Sequence, residues 1–480
     1  MSATSKPTDQ VAFPDPSVYL LNRQNSRKAM EAGLAEAEWY QSPVPREKMR
    51  KLLVRRNGPA LRDAFIWFGL IFASAAATLS LWGTWWVIAP YLIYAALFAG
   101  SADARWHEGL HGTAFKTDWL NIALYEIASF MVLRESTVWR WSHTRHHSDT
   151  IIVGRDPEIA VPRPPDITGM LLGCFAIKRY PKYFGNLLHH ARGQLAERER
   201  EFIPEDEFSR VFRTARVHLA VYLLVIAAAL ISASFVPLFL IGLPNIFGTW
   251  LMSLYGLTQH TGLAENVLDH RLNSRTFLTN IVNRFLYLNM NYHVEHHMFP
   301  LVPYYNLPAL HEIVKDDCPA PYPSLWACWK EIIPTVARQT EEPGYHVQRS
   351  LPPTAGREKK PAIKPSCPAD AEGWIEICPS AALENSEVIR VDHHDQTYAI
   401  YRDGEGQLYA TDGICTHGKT HLADGLVIEK MIECPKHNGR FNLADGSPAR
   451  RPVCEALQTH RVREVSGRIQ FHPSCSPQEP

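Results

Sequence analysis

The chain has no surplus of charge. Its 49 Lys and Arg offset 49 Asp and Glu, a balance that suits neither nucleic acid nor a strongly anionic partner. A disulfide framework is also missing: nine cysteines is an odd number at irregular spacing, which fits a reducing compartment better than a secreted, stapled fold. Roughly the first sixty residues lack the apolar core of a signal peptide, so no cleaved leader is expected. There is no Gly-rich dinucleotide fingerprint, because Gly404-Glu-Gly406 lacks a third glycine and a strand–helix setting. Reducing equivalents would have to come from a separate NAD(P)H-dependent reductase. No internal repeat is present.

What the chain does have is two long stretches without Asp, Glu, Lys or Arg, Ala64 to Ala102 and Val217 to Ala264. Each has room for two spans of about 20 residues. The first pair turns at Trp82-Gly83-Thr84, the second between Pro237 and Pro244. Arg46, Lys48, Arg50, Lys51, Arg55, Arg56 and Arg62 precede the first span, and Arg105, Arg134, Arg140 and Arg145 follow the second. The positive-inside rule then predicts a multi-pass integral membrane protein in a bilayer, such as a bacterial inner membrane, with both termini and the histidine clusters in the cytosol. Trp82, Trp85 and Trp86 would form an aromatic belt at the opposite interface.

The histidines cluster as His107-Glu-Gly-Leu-His111, His143-Thr-Arg-His146-His147 and His293-Val-Glu-His296-His297. Spacings of three and four project imidazoles from one helix face. His260, at the cytosolic end of the fourth span, is an ionisable group at a membrane edge and is expected as a ninth member. Neutral imidazole suits several metals, but eight or nine exceed the need of one ion and match two. Two irons, reduced by two electrons, can activate O2 for attack on an unactivated C–H bond. His107-Glu108-Gly-Leu-His111 also satisfies the H-E-x-x-H pattern of zinc proteases, with Glu108 activating water. That reading leaves two clusters unused. Glu108 and Glu295 are either partners that orient ligating histidines or solvent-facing helix residues.

A second metal motif follows at Cys415-Thr-His417 and, sixteen residues on, Cys434-Pro-Lys-His437. Zinc knuckles use different spacing. Around it run short alternating segments, Val388–Val391, Thr397–Tyr401, Leu408–Ala410 and Arg468–Phe471, the pattern of a small all-β domain. His421 reads as loop surface, as do His189-His190 and His393-His394. Cys367, Cys378, Cys454 and Cys475 have no ligand spacing and read as structural.

Four units are expected. Residues 1–45 form a polar, poorly ordered segment and 46–340 the membrane unit. Residues 341–366 are a flexible linker, rich in Pro, Glu, Lys and Arg, that can swing 367–480 onto the membrane unit. Within the membrane unit, Leu171 to Gln194 is amphipathic, and Glu197-Arg-Glu-Arg-Glu201 reads as a solvated helix face.

The three boxes with Gln259-His260 between the second and third resemble the membrane fatty-acid desaturase and hydroxylase superfamily over about residues 60–310. Trp139-Arg-Trp-Ser-His143 and Thr150-Ile-Ile-Val-Gly-Arg-Asp-Pro-Glu158 look closest to the desaturase-like oxygenase of rhizopine catabolism, which takes a polar methyl ether. The resemblance implies four membrane helices with a cytosolic helical cap and a di-iron site on His107, His111, His143, His146, His147, His260, His293, His296 and His297. Gly256 stands where acyl desaturases often carry an Asn. The Cys-x-His and Cys-x-x-His halves resemble the Rieske family, implying a [2Fe-2S] cluster on Cys415, Cys434, His417 and His437. Gly418, Lys419 and Lys436 replace the bracing cysteines of respiratory Rieske proteins, so the ferredoxin or ring-hydroxylase kind is implied, with a potential near the low end of the range, about −150 mV. The implied enzyme is an O2-dependent di-iron monooxygenase that hydroxylates or O-demethylates a small molecule or lipid, or an acyl-chain desaturase on the same site. A non-catalytic redox or metal sensor is the alternative outside enzymes.

Overall fold

The computed structural model describes residues 15–35, 37–353, 362–365 and 369–473. Seven helices frame the histidine clusters. They are α1 (Asn57–Ser80), α2 (Trp85–His111), α3 (Ser136–Ser148), α4 (Arg179–Ala191), α5 (Glu205–Ile231), α6 (Leu238–His260) and α7 (His293–Met298). Four of them, α1, α2, α5 and α6, are long and apolar enough to cross a membrane. At 1.5 Å per residue, the 24 residues of α1 reach about 36 Å, more than a hydrocarbon core of about 30 Å. Their outer faces carry bare apolar side chains, among them Phe65, Phe72, Leu230 and Ile231, and Trp85 and Trp86 stand exposed at one turn.

Helices α2 and α6 cross backbone to backbone. A Cβ on Gly248 would stand 1.9 Å from the Ala95 carbonyl oxygen, and one on Gly100 only 2.8 Å from that of Gly248. Small residues at such a crossing let helices approach without a hydrophobic drive, as in membranes. A π-turn at Ala96–Gly100 widens α2 there and re-aims its last turns, which carry His107 and His111. The helix stops at Gly112, whose φ of 66° supplies the left-handed cap that ends it after His111.

The polar N-terminal segment is not loose where it is described. Trp39 donates its indole N–H to the Ser148 carbonyl at 3.1 Å, and the Tyr40 hydroxyl donates to Asp317 at 2.6 Å. Two aromatic anchors hold a segment whose polar composition suggested otherwise; residues 1–14 and 36 lie outside the described residues. His190, expected at the surface, is buried between Glu135 and Glu199, with its Nδ1 at 2.7 Å and its Nε2 at 2.9 Å from their carboxylates. Glu199 is accordingly the buried member of the charge run, which is otherwise largely solvated.

The C-terminal part is all β. One antiparallel sheet has the order β1-β10-β9-β4-β3-β2, from β1 (Ile375–Pro379), β2 (Glu387–His393), β3 (Gln396–Arg402), β4 (Leu408–Asp412), β9 (Thr459–Val465) and β10 (Arg468–His472). The second, β5-β6-β7-β8, is formed by β5 (Leu426–Ile428), β6 (Met431–Glu433), β7 (Arg440–Asn442) and β8 (Pro448–Arg450). Four of these ten strands contain the four segments expected from alternation. His421 is a correction: it is buried and accepts the Ala423 N–H at 3.0 Å.

The β domain is seated on the helical body. Glu433, wholly buried, takes Arg55 from the body at 3.0 Å and Arg440 from its own domain at 2.7 Å. Arg440 reaches on to Asp118 at 2.9 Å, Arg50 meets Glu387 at 3.2 Å, and Arg451 meets Glu207 at 3.0 Å. The linker follows this arrangement at both ends. Val347 donates its N–H to the Gly262 carbonyl at 2.9 Å, Arg349 reaches the Ser274 carbonyl at 2.6 Å, and Ile363 bridges Val391 of β2. The expected flexibility of 354–361 and 366–368 lies outside the described residues.

Removing the carboxylate that these arginines share leaves buried cations without a counter-charge. Glu433→Gln is therefore expected to weaken seating of the β domain by about 3–5 kcal/mol, read as faster hydrogen exchange across residues 434–438. A second expectation concerns pH. Burial pushes the His190 imidazole down, but Glu135 and Glu199 outweigh it and carry it to about 9. The stabilisation is complete below the unfolded value near 6.5 and is lost as pH rises through about 9. The thermal midpoint should fall over that window, and His190→Gln should flatten the fall while costing about 1–3 kcal/mol.

Candidate metal centres

The histidine boxes lie far apart in sequence but meet at one place. His107 and His111 come from the last turns of α2, His143, His146 and His147 from α3, His260 from the end of α6, and His293, His296 and His297 from α7. Their ring nitrogens form two sets. One holds His107, His111, His143, His147 and His296, the other His146, His260, His293 and His297, with ligand atoms within 4.8 Å of one another in each set. All nine expected residues are included. Eight are buried and His260 is nearly so.

Within the sets, nitrogens approach at hydrogen-bond distance without a polar group between them. His293 and His297 bring their Nε2 atoms to 3.0 Å, His260 and His293 to 3.1 Å, and His147 and His296 to 3.3 Å. Burial and mutual repulsion hold His143, His147, His293, His296 and His297 well below the ordinary imidazole range. They are therefore neutral, with lone pairs available. Several inner nitrogens, including both of His107, Nε2 of His111 and Nε2 of His143, have no hydrogen-bond partner. Buried, neutral and unsatisfied nitrogens converging on two points are what a pair of cations would satisfy.

Outward-facing nitrogens are held by acceptors that fix which nitrogen keeps its lone pair. His146 Nδ1 lies 2.8 Å from Asp156, His143 Nδ1 3.0 Å from Glu158, and His260 Nδ1 2.7 Å from the Asn273 carbonyl. Thr150 donates its hydroxyl proton to the His146 carbonyl at 2.7 Å, which turns its oxygen to His297 Nδ1 at 3.3 Å. Asp156 and Glu158 were not expected from sequence in this role, because they sit in a loop with no periodic relation to the box they serve. Glu108 and Glu295, which were candidates for it, do something else. Glu108 accepts from Thr113 at 2.6 Å and Glu295 from Thr276 at 2.5 Å, with His311 Nδ1 also 2.5 Å from Glu295. Both are buried braces on the far side of their helices. Neither is solvent-facing, and Glu108 does not stand where a protease's water-activating base is needed.

A cavity of about 80 Å3 opens beside both sets, walled by Asp103, Arg134, Glu158, Arg163, Gln259 and Glu265. Arg163 meets Glu265 at 3.2 Å, and Arg134 pairs with Asp103 while lying over the Trp106 ring at 3.7 Å. A Cβ added to Gly256, also in this wall, would meet nothing within 4 Å.

In the β domain the loop after β4 carries Cys415 and His417, and the turn between β6 and β7 carries Cys434 and His437. His417 and His437 face each other through their Nδ1 atoms at 3.1 Å. Both cysteines are buried. A hydrogen bond from Cys434 and the backbone N–H groups of Gly418 and His417 hold the Cys415 thiol down to about 7, on the way to the thiolate a metal requires. His437 is buried against the helical body and His417 half-buried. Two cysteines and two converging Nδ1 atoms match the donor set of a Rieske cluster.

Comparison with known proteins agrees with both halves. The fatty acid desaturase family model matches residues 83–329, and the Rieske [2Fe-2S] domain model matches residues 373–461. The ferredoxin component of the naphthalene 1,2-dioxygenase system of Pseudomonas putida is 36% identical over 96 residues, 20% of this chain and 91% of the relative. Ferredoxin CarAc of Metapseudomonas resinovorans is 34% identical over 97 residues, 20% of this chain and 90% of the relative. Among solved structures, the complex of reduced oxygenase and oxidized ferredoxin in carbazole 1,9a-dioxygenase matches at 33% identity and TM-score 0.20, covering 20% of this chain and 98% of that one. With the buried histidines, these matches give the cofactors: two non-haem irons and one [2Fe-2S] cluster. The chain is an oxidoreductase that belongs to the fatty acid desaturase family and carries a Rieske [2Fe-2S] domain at its C-terminal end.

Proposed function

We propose that the protein is an O2-dependent monooxygenase that hydroxylates a compact polar substrate, and O-demethylates it where the attacked carbon bears an ether oxygen. The observation that carries this reading is the cavity beside the histidine sets. Its volume, about 80 Å3, is well under the roughly 300–1,000 Å3 of a drug-sized site, and its wall holds three carboxylates and two guanidinium groups. Trp106, Ile151, Ile159 and Val161 complete the wall, and methylenes of an acyl chain packed there would strip those five charges of water. A small molecule with hydroxyl, amino or carboxylate groups would replace that water.

On this reading His107, His111, His143, His147 and His296 hold one iron, and His146, His260, His293 and His297 the other. Cys415, Cys434, His417 and His437 hold the cluster. When bound and reduced, the iron pair supplies activation of O2, for an overall reaction RH + O2 + 2e− + 2H+ → ROH + H2O. The chain's own groups do the rest. Asp156 and Glu158 keep His146 and His143 oriented, and the Arg134–Asp103 and Arg163–Glu265 pairs frame the substrate.

The electrons come from a separate NAD(P)H-dependent reductase. The half-buried His417 lines a cavity of about 450 Å3 between the β domain and the helical body, where Arg145, Arg155, Arg200 and Lys436 stand with Asp149, Glu201 and Glu455. The four long helices span the bilayer with both metal centres on the cytosolic side. The positive residues flanking the spans support that orientation.

Two outcomes test the reading. Asp156→Asn should lower iron affinity at the histidine sets about 10–100-fold, seen as a fall in iron per chain with the cluster's EPR signal intact. Cells making the protein and a reductase under 18O2 should release hydroxylated product carrying the label, or, from a methyl ether, unlabelled alcohol with one aldehyde formed and one O2 consumed per turnover. An unlabelled alkene would instead identify a desaturase, and unlabelled product with no oxygen uptake would remove the oxygenase reading altogether.

A further inference from the structure

A hydrogen bond between domains joins a cluster histidine to the residue beside a histidine of the five-membered set. His437 turns its Nδ1 toward His417, which leaves Nε2 as its outer nitrogen, and that atom lies 2.7 Å from the Ser148 hydroxyl oxygen. Ser148 is the last residue of α3 and the chain neighbour of His147. We propose that electrons cross from the cluster to the iron pair within one chain through Ser148, arriving at the five-histidine set. The inference rests on the ligand assignment above and adds to it the route and the point of arrival.

The direction of the hydrogen bond follows from a count of protons. Ser148 has one hydroxyl proton and donates it to the Thr144 carbonyl at 3.1 Å. With His437 Nδ1 assigned to the cluster iron, its proton sits on Nε2 and is donated to the Ser148 oxygen. From the Ser148 oxygen to the His147 ring the connection is covalent throughout, along Cβ, Cα, the peptide bond and the His147 side chain. Ser148 itself is held in place: its carbonyl accepts the Trp39 indole N–H at 3.1 Å. A second contact leads to the same set. Arg450, 3.8 Å from the Glu433 carboxylate beside Cys434, donates to the His111 carbonyl at 3.1 Å, where a Cβ on Gly112 would collide with it. His111 and His147 both belong to the set of five.

Each crossing oxidises the cluster by one electron and reduces the iron pair by one. No covalent bond changes, and the reductase refills the cluster between crossings. Two crossings supply one turnover. Ser148 is a positioning and conducting residue, since it touches neither substrate nor iron.

The test uses the full-length protein with both centres loaded and no O2 or substrate. A flash-photoreduced flavin delivers one electron to the cluster, and decay of the reduced cluster's signal is followed. Decay in the wild type should not depend on protein concentration, which marks a hop within one chain. Ser148→Ala should slow it about 10–100-fold, the scale on which hydrogen-bonded partners of metal-bound histidines act, after correction for any measured shift in cluster midpoint potential and with iron content and hydrogen exchange of 434–438 unchanged. Ser148→Thr, which keeps the hydroxyl, should restore the rate. An alanine variant that decays at the wild-type rate would overturn the assignment, as would slowing accompanied by faster exchange at the interface. Absence of any decay in the wild type would instead remove the relay between the two centres, and with it the functional reading above.

Discussion

Nitrogen lone pairs of neutral imidazoles repel one another at 3 Å unless a proton or a cation stands between them. The helical body places nine imidazole rings together, several pairs at 3.0–3.3 Å, and burial holds five of them well below the ordinary imidazole range. A cation inside each set satisfies several of these lone pairs at once. The rest of the body serves this arrangement. Gly100 and Gly248 let α2 and α6 touch, the π-turn re-aims the end of α2, and Gly112 stops that helix one residue after His111. Asp156, Glu158, Thr150 and the Asn273 carbonyl then lock ring orientations from outside.

The β domain adds an electron store without a long search. Its seat depends on buried charge pairs around Glu433, where burial pushes the carboxyl up but Arg55, Arg440 and Arg450 outweigh it and hold it at about 2. A buried group paired on both sides specifies one docked geometry more than it adds stability. That geometry brings His437 to Ser148 and sets the other cluster histidine, His417, in a cavity that Ser148 also lines.

Much of this was legible in the sequence, and the parts that were not share a cause. The boxes showed because ligands on helices must repeat at three or four residues, and the four long apolar helices showed because each needs about 20 residues almost free of charge. His260 was visible only by its position at a span's edge. Asp156 and Glu158 act from an irregular loop, where no period marks a partner. Arg50 and Arg55 were read as an orientation signal, yet they also face the β domain; a charge count cannot separate attraction to a headgroup from a salt bridge to Glu387 or Glu433. His190 and Glu199 looked like surface residues because their compensation is mutual. Each buries the other's charge, and a one-dimensional reading sees only two polar residues. The aromatic anchors Trp39 and Tyr40 were hidden in the same way inside a polar segment.

The central claim, that the fold gathers nine imidazoles to hold two irons beside a cluster seated in the same chain, is tested most directly by anomalous diffraction from crystals of the loaded protein across the iron absorption edge. The account predicts iron peaks at three places in each chain, one inside each histidine set and one beneath His417 and His437. Iron beneath the cluster histidines alone, or zinc in place of iron within the sets, would contradict it.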